Sequence, residues 1–169
     1  MLMRGLNNVY GYTFIMMPTT YEQPITRRVR AILITPRNTL MLIKRLKPER
    51  EHEPYWVAPG GGVEGNESLD QALLRELAEE LGAQVNIMGV GFVLEHEKVG
   101  KRLEEHFFVC ELLNYDLSQR DGPEFADPTR GEYLPDEIPL EPQALDSIHF
   151  RTPELREWLL DNLDLLRAA

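Results

Sequence analysis

Three glutamates in the middle of the chain have a spacing that would bring their side chains together. On a helix, residues three and four positions apart are neighbours, so Glu76, Glu79 and Glu80 would share one face. Like charges at this spacing repel one another by roughly 0.2–0.5 kcal/mol for each pair. Such crowding makes chemical sense if a divalent cation lies among the carboxylates, because these cations prefer oxygen ligands. The alternative interpretation is an ordinary solvated charged face.

The residues around these glutamates predict a helix that begins at Ser68. Ser68 followed three residues later by Gln71 is the signature of a capping box. Gly82 can adopt the left-handed conformation that ends many helices. An apolar stripe, roughly opposite the glutamates, is expected to pack on the core. The members of this stripe are Leu74, Leu77, Ala78 and Leu81.

A glycine-rich turn precedes the helix at a characteristic distance. Five residues separate Gly61 from Glu67, and seven more separate Glu67 from Arg75, after which the chain reads Arg-Glu-Leu-Ala-Glu-Glu-Leu-Gly. This segment, Gly61–Ala83, resembles the signature of the Nudix hydrolases at every fixed position. It departs from the signature only at Ala83, where the family has a larger aliphatic residue.

The resemblance implies hydrolysis of a nucleoside diphosphate linked to another moiety, with water attacking a phosphorus of the pyrophosphate. A pyrophosphate carries several negative charges, so this chemistry needs cations that neutralise them and acidify water. The implied cofactor is Mg²⁺ or Mn²⁺. By their positions in the signature, the implied metal ligands are Glu76, Glu79, Glu80 and the main-chain carbonyl of Gly60.

Other residues of the signature are implied to support catalysis. Arg75 can reach Glu79 one helical turn away, and Glu67 is its second implied partner. An equally good interpretation of Arg75 and Glu67 is a salt bridge that braces the loop against the helix. Glu79 is the first choice for the general base, and Glu124 and Glu132 are the alternatives because an acidic loop could close over the site.

Two basic residues end a predicted strand beside the signature. Related enzymes use a basic residue there to bind substrate phosphates, which makes Lys44 and Arg45 candidate substrate-binding residues. Strand alternation points the two side chains to opposite faces, so at most one faces the site. Arg45 is the preferred candidate because its planar guanidinium suits phosphate oxygens. Plain surface charge is the alternative for both.

Composition limits the classes of partner. The chain has 169 residues and a net charge of −10, which argues against non-specific binding to nucleic acid or to anionic membranes. The expected partner is therefore a small nucleotide-type substrate. The oligomeric state is left open between a single chain and a homodimer. Cys110 is the one cysteine, lies in an apolar run and suits a buried core position, so a reducing, cytoplasmic location is expected.

Elsewhere the sequence predicts strands and one further helix. The helix is expected to begin at Pro153 behind a Thr152 cap, and two of the strands are expected to form a hairpin. This order predicts an α/β or α+β sandwich, and the resemblance implies the same mixed sheet held between helices. The predicted strands span residues 29–34, 39–45, 85–94, 104–113 and 144–150.

One domain is expected over residues 27–169, by length. Residues 1–26 are interpreted as a leader, either flexible or docked, or as an over-extended start of the chain. A Pro-rich acidic insertion near residues 114–143 shows no helical or strand period. Long connections of this kind are usually functional or disordered.

Two further functions remain open at this stage. The first is a nucleotide-sugar or dinucleotide pyrophosphatase, since no further specificity signature is found outside Gly61–Ala83. The second is a binding module that kept the fold and lost activity, although such a module would have no chemical reason to keep the crowded glutamates. Within the leading hypothesis, a nucleoside triphosphate or a modified nucleotide is the preferred substrate.

Overall fold

A computed structural model describes residues 25–50, 52–98, 100–122, 125 and 127–167. Within these residues, six strands form one mixed sheet and four α-helices cover it. The strands are β1 Ile25–Ile34, β2 Thr39–Leu46, β3 Tyr55–Val57, β4 Ala83–Lys98, β5 Lys101–Tyr115 and β6 Glu132–Pro139. The helices are α1 Leu69–Leu81, α2 Pro142–Asp146, α3 Pro153–Asp161 and α4 Leu163–Arg167.

The central strand of the sheet is β1. The strand order is β3-β2-β1-β5-β4. β6 also pairs with β2, along the edge of that strand that pairs with neither β1 nor β3. β1 and β5 are parallel, and the remaining pairs are antiparallel. The run from Ala31 to Leu33 is fully buried, because both faces of this strand are covered.

The core has two parts, one on each face of the sheet. Val29, Ala31 and Leu33 of β1 point to one face and pack with the buried residues of α1. Ile32 and Ile34 point to the other face and pack with α2, α3 and α4. This arrangement confirms the predicted mixed sheet between helices.

Helix α1 confirms the predicted ends but corrects the predicted stripe. The Ser68 hydroxyl accepts a hydrogen bond from the Gln71 N–H, the Gln71 side chain accepts one from the Ser68 N–H, and Gly82 has a left-handed φ of 57°. Leu74, however, is 45% exposed, and Ala78 is also exposed. Leu77 and Leu81 are buried as predicted, but the other buried residues of the helix are Ala72 and Leu73, so the helix turns a different face to the core than predicted.

The rotation of α1 makes a direct prediction about stability. Leu73 is fully buried, so Leu73→Ala should lower the free energy of unfolding by about 2–5 kcal/mol through lost burial and a cavity. Leu74→Ala removes the same atoms from an exposed site and should cost less than about 1 kcal/mol. Urea unfolding followed by circular dichroism measures both. Equal losses for the two variants would contradict the orientation of α1.

The Pro-rich segment contains a strand, contrary to the sequence prediction. β6 pairs with β2 over eight residues, from Thr39↔Pro139 to Leu46↔Glu132. Pro135 and Pro139 argued against a strand here, because proline is depleted in strands and tolerated mainly at a sheet edge. Here β6 is an edge strand, so its proline residues need no hydrogen-bond partner on the outer side of the sheet.

The C-terminal region also differs from its prediction. Residues 144–150 do not form a strand: part of this segment belongs to α2, and Phe150 makes only an isolated bridge to Trp56. The helix after Thr152 begins at Pro153 as predicted, although the Thr152 side chain makes no capping hydrogen bond. It ends at Asp161 with Asn162 as its C-cap, and α4 then adds the buried residues Leu163 and Leu166.

The hairpin is confirmed, and its strands are longer than predicted because their polar residues also pair. The leader lies outside the described residues except for Ile25 and Thr26, with which β1 begins. No helix in the described ranges has the length and apolar character needed to cross a bilayer.

Candidate active site

The glycine-rich turn is held against β1 like a short additional strand. The Val29 N–H donates to the Gly61 carbonyl at 2.9 Å, and the Ala31 N–H donates to the Pro59 carbonyl at 2.8 Å. The Val63 N–H returns a bond to the Arg27 carbonyl at 3.0 Å. The central strand of the sheet therefore fixes the position of the turn.

Two glycines in this turn leave no room for a side chain. Gly60 has a φ of +127°, and a Cβ there would overlap the Val29 carbonyl. A Cβ on Gly61 would overlap the carboxylate of Glu76. Gly60 therefore lets the turn lie close against β1, and Gly61 lets it lie close against Glu76 of α1.

Two glutamates of α1, Glu76 and Glu80, lie directly against the turn. The Gly60 N–H donates to Glu80 Oε2 at 2.7 Å, and the Glu76 carboxylate lies beside Gly61. The Glu76 side chain is 14% exposed, whereas that of Glu79 is 32% exposed. The structure therefore places the carboxylates of Glu76 and Glu80 at the predicted turn, while Glu79 is linked to Glu76 through Arg75.

Arg75 connects the turn to the helix through its whole guanidinium group. Its Nε and Nη2 donate to the two carboxylate oxygens of Glu67 at 3.2 and 2.7 Å, and Nη2 also donates to the Gly62 carbonyl at 2.9 Å. Nη1 donates to Glu76 at 3.1 Å and to Glu79 at 3.3 Å. The bidentate pair with Glu67 raises the pKa of Arg75, and Arg75 in turn lowers the pKa of Glu67.

The lowered pKa of Glu67 predicts a loss of stability in acid. A carboxylate whose pKa in the folded state lies below its usual 4.5 stabilises the fold above that pH, and loses the contribution as the pH falls through the folded-state pKa. Glu67→Gln should therefore lower the melting temperature at pH 7, with the difference from wild type shrinking below about pH 4.5. Thermal unfolding from pH 7 to pH 3 measures this. A difference that stays constant down to pH 3 would contradict it, and Glu64→Gln, an exposed carboxylate of the same loop, serves as the control.

The two candidate phosphate-binding residues lie on opposite faces of β2, as alternation predicts. The Lys44 ammonium lies 5.3 Å from the centre of the Trp56 ring, on the face that α2, α3 and α4 cover. Arg45 lies on the α1 face, where its guanidinium stacks 3.3 Å above the Tyr133 ring and Nη2 donates to the Arg130 carbonyl. Arg45 therefore makes its contacts with β6 and the residues just before that strand.

Of the two loop acids, only Glu132 belongs to the described residues. Glu124 lies outside them, and Glu132 is an exposed residue at the start of β6. The loop approaches α1 through residues that sequence reasoning missed. The Arg120 Nε donates to the Glu80 carbonyl at 2.5 Å, and the Asp121 N–H donates to the Glu79 carbonyl at 3.3 Å. No local pattern marks Arg120 or Asp121 in the sequence.

Sequence reasoning also missed two arginines of β1. Arg28 and Arg30 line a cavity of about 450 Å³ next to the turn. The Arg30 Nε donates to Glu105 at 2.9 Å, and its Nη1 donates to the Gly60 carbonyl. The only sequence signal was charged residues at the start of an otherwise apolar strand.

Comparison with known proteins decides the family. A family model described as the NUDIX domain matches residues 24–152, which is more than half of the chain. The chain belongs to the Nudix family. The glycine turn and α1 are thus its Nudix box, and the match extends over all six strands and α2.

Several relatives of this Nudix chain are named after an enzymatic activity. It is 34% identical over 68 residues to an 8-oxo-dGTP diphosphatase of Proteus vulgaris, covering 40% of this chain and 61% of that protein. It is 32% identical over 89 residues to an RNA pyrophosphohydrolase of Haemophilus influenzae (strain PittEE), covering 41% of this chain and 45% of that protein. Both matches span less than two thirds of the relative.

A solved structure supports the fold of the Nudix chain. The Nudix hydrolase from Nitrosomonas europaea superimposes with a TM-score of 0.62 at 20% identity, over 82% of this chain and 88% of that one. At this identity the likeness shows the fold alone.

The residues of the Nudix box have the chemistry that a hard divalent cation requires. Three helix carboxylates and the Gly60 carbonyl supply oxygen donors, and a carbonyl oxygen that already accepts from Arg30 keeps a second lone pair. Within the described ranges, no three acidic, histidine or cysteine side chains already converge as a ligand set. Arg75 bonds to Glu76 and Glu79, and the Gly60 N–H bonds to Glu80, so side-chain rotation must bring these oxygens together.

Proposed function

We propose that this chain is a Mg²⁺- or Mn²⁺-dependent hydrolase that cleaves the pyrophosphate bond of a nucleoside diphosphate linked to another moiety. The main support is the contact of the glycine turn with Glu76 and Glu80 of α1, which places carboxylate oxygens of the helix beside the main chain of the turn. Such a cluster is costly without a cation, and it has an obvious use with one.

Each residue of the box has a role in this proposal. Glu76, Glu79, Glu80 and the Gly60 carbonyl would hold the cation. When bound, the cation would supply charge neutralisation for the pyrophosphate and lower the pKa of water. Arg75, braced by Glu67, holds Glu76 and Glu79 in position.

Glu79 is the proposed general base. Its side chain is more exposed than that of Glu76, so it can reach a water molecule while the other glutamates remain against the turn. Arg75 contacts Glu79 at 3.3 Å and holds its carboxylate in place. Glu132 and Glu124 remain alternatives that the activity of their Gln variants can test.

The proposed substrate is a nucleoside triphosphate or a modified nucleotide. The relative named 8-oxo-dGTP diphosphatase supports this choice. The relative named RNA pyrophosphohydrolase makes a 5′-triphosphorylated RNA end a second candidate. The net charge of −10 disfavours extended contacts with an RNA backbone. A cytoplasmic location completes the hypothesis, and light scattering can decide between a single chain and a homodimer.

A substrate panel with product identification tests the proposal. The panel contains a deoxynucleoside triphosphate, its 8-oxo form, a 5′-triphosphorylated RNA oligonucleotide, a nucleotide sugar and a dinucleoside polyphosphate. Hydrolysis in ¹⁸O-labelled water, followed by mass spectrometry, identifies the phosphorus that water attacks. Turnover that needs Mg²⁺ or Mn²⁺ and stops with EDTA supports the proposal. Nucleotide binding without turnover on any substrate would instead favour the non-catalytic binding module.

A further inference from the structure

A tyrosine of the edge strand β6 lies against one of the two candidate phosphate-binding residues. Tyr133 is directly opposite Arg45 in the register of β6 with β2, and opposite residues share a face of the sheet. The Arg45 guanidinium lies 3.3 Å from the centre of the Tyr133 ring, and its Nη2 donates to the Arg130 carbonyl at 2.9 Å. A guanidinium that is both stacked and hydrogen-bonded keeps little rotational freedom, so Arg45 is held in one direction before a ligand binds.

Arg45 keeps a donor that these contacts do not use. Its side chain is partly exposed, and its Nη1 makes no hydrogen bond with any residue that the structure describes. Its Nε, in contrast, is shut off from solvent, so a ligand cannot reach that atom. Nη1 is therefore the donor of Arg45 that can meet a phosphate oxygen, in the charge-assisted hydrogen bond that a guanidinium favours.

Tyr133 is itself held by the loop that precedes β6. The Phe125 ring meets the Tyr133 ring edge-on, with the ring centres 5.4 Å apart at an angle of 70°, which is a favourable aromatic geometry. The Arg120 guanidinium lies 4.1 Å from the centre of the Phe125 ring, and its Nη2 donates to the Tyr133 carbonyl at 3.1 Å. Arg45, Tyr133, Phe125 and Arg120 thus form one stacked column.

The stacked column ends on the main chain of α1. The Arg120 Nε donates to the Glu80 carbonyl at 2.5 Å, and the Asp121 N–H donates to the Glu79 carbonyl at 3.3 Å. α1 has no basic residue in its last turn, so Arg120 supplies the positive charge that stabilises a helix C-terminus. The column therefore connects Arg45 to the main chain of two proposed cation ligands.

We propose that Tyr133 is a positioning residue, which holds Arg45 where its Nη1 meets a phosphate oxygen of the substrate. The inference rests on the proposed function, because that function assigns a phosphorylated substrate to the neighbouring glutamates of α1. Tyr133 touches no substrate atom. Its ring restricts Arg45 in advance, so binding costs less side-chain entropy. The ring makes the contacts with Arg45 and Phe125, and the hydroxyl has no part in this role.

A double-mutant cycle on nucleotide affinity tests this role. The ligand is a nucleoside triphosphate with methylene groups in place of both bridging oxygens, titrated calorimetrically with Mg²⁺. Tyr133→Leu should raise its Kd roughly 5- to 20-fold, whereas Tyr133→Phe keeps the ring and should bind within about twofold of wild type. In the Arg45→Gln protein, Tyr133→Leu should add less than about twofold, because its effect passes through Arg45. Tyr115→Leu, at an exposed tyrosine of β5, is the matched control and should bind as wild type does.

A measurement without ligand or turnover separates this inference from the proposed function. ¹⁵N relaxation of the Arg45 Nε–H, assigned by its loss in Arg45→Gln, should show a rigid side chain in wild type and a mobile one in Tyr133→Leu. The expected cycle and relaxation in a protein that cleaves no nucleotide would uphold the inference and refute the hydrolase. An equally rigid Arg45 in Tyr133→Leu, or an equal loss of affinity with and without Arg45, would overturn the inference even in an active enzyme. Failure of wild type to bind the analogue would also overturn it.

Discussion

Replacing Glu80 by Gln should abolish hydrolysis while the fold stays intact. The substitution removes the charge that a divalent cation needs but keeps an oxygen that can accept the Gly60 N–H, now 2.7 Å from Glu80 Oε2. Loss of a cation-binding charge removes several kcal/mol of transition-state stabilisation, which corresponds to a fall in kcat/KM of roughly a thousandfold or more. The free energy of unfolding should fall by no more than about 1–3 kcal/mol, as for one hydrogen bond to a charged group.

Steady-state kinetics over a range of Mg²⁺ concentrations, together with urea unfolding, measure both effects of Glu80→Gln. Asp70→Asn is the matched control, because Asp70 is an exposed carboxylate in the first turn of the same helix, away from the cluster. The control should keep the wild-type rate. An unchanged rate in Glu80→Gln would refute the assignment of Glu80 as a metal ligand, whatever happens to stability.

Gly61→Ala should produce the second large effect. The new Cβ would overlap the Glu76 carboxylate, so this side chain must leave its place beside the turn. Gly61 needs no left-handed backbone conformation, and the clash involves the end of a flexible side chain. The cost in stability should therefore stay near 1 kcal/mol, within the usual range for a point substitution. Activity should fall at least about a hundredfold, since misplacement of a reacting group by about 1 Å has effects of this size.

Gly62→Ala gives the comparison for this variant. A Cβ on Gly62 meets no atom within 4 Å, so its activity and stability should match those of wild type. Equal activity of the two alanine variants would show that the position of Glu76 is unimportant for hydrolysis. A titration of Mn²⁺ followed by water-proton relaxation should show weaker metal binding in Gly61→Ala and not in Gly62→Ala.

The parts of the molecule that local signals determine could be predicted from the sequence. The cap at Ser68, the left-handed Gly82 and the turn that meets the helix glutamates depend on residues close together in the chain, and the structure contains them. The contact between Arg75 and Glu79 likewise follows from helix geometry. Their functional roles remain predictions until activity is measured.

The features that escaped prediction depend on distant parts of the chain. β6 exists because β2 offers it a free edge, and its prolines gave the opposite local signal. The orientation of α1 depends on the sheet beneath it, which placed Leu73 rather than Leu74 inside. The burial of the Arg28 Nε without a hydrogen-bond partner among the described residues could not be foreseen, because it depends on side chains that are distant in the chain.

The parallel pairing of β1 with β5 has a consequence for how the chain folds. Arg27 and Glu104, which are paired across these strands, lie 77 residues apart in the chain. Closing so long a loop costs conformational entropy before contacts between the strands can offset it. Non-local strand pairing is therefore expected to be a slow step in folding. The turn that meets the glutamates bonds to β1, so its final shape waits for that strand. During refolding, recovery of enzymatic activity should therefore lag behind the early gain of helical signal.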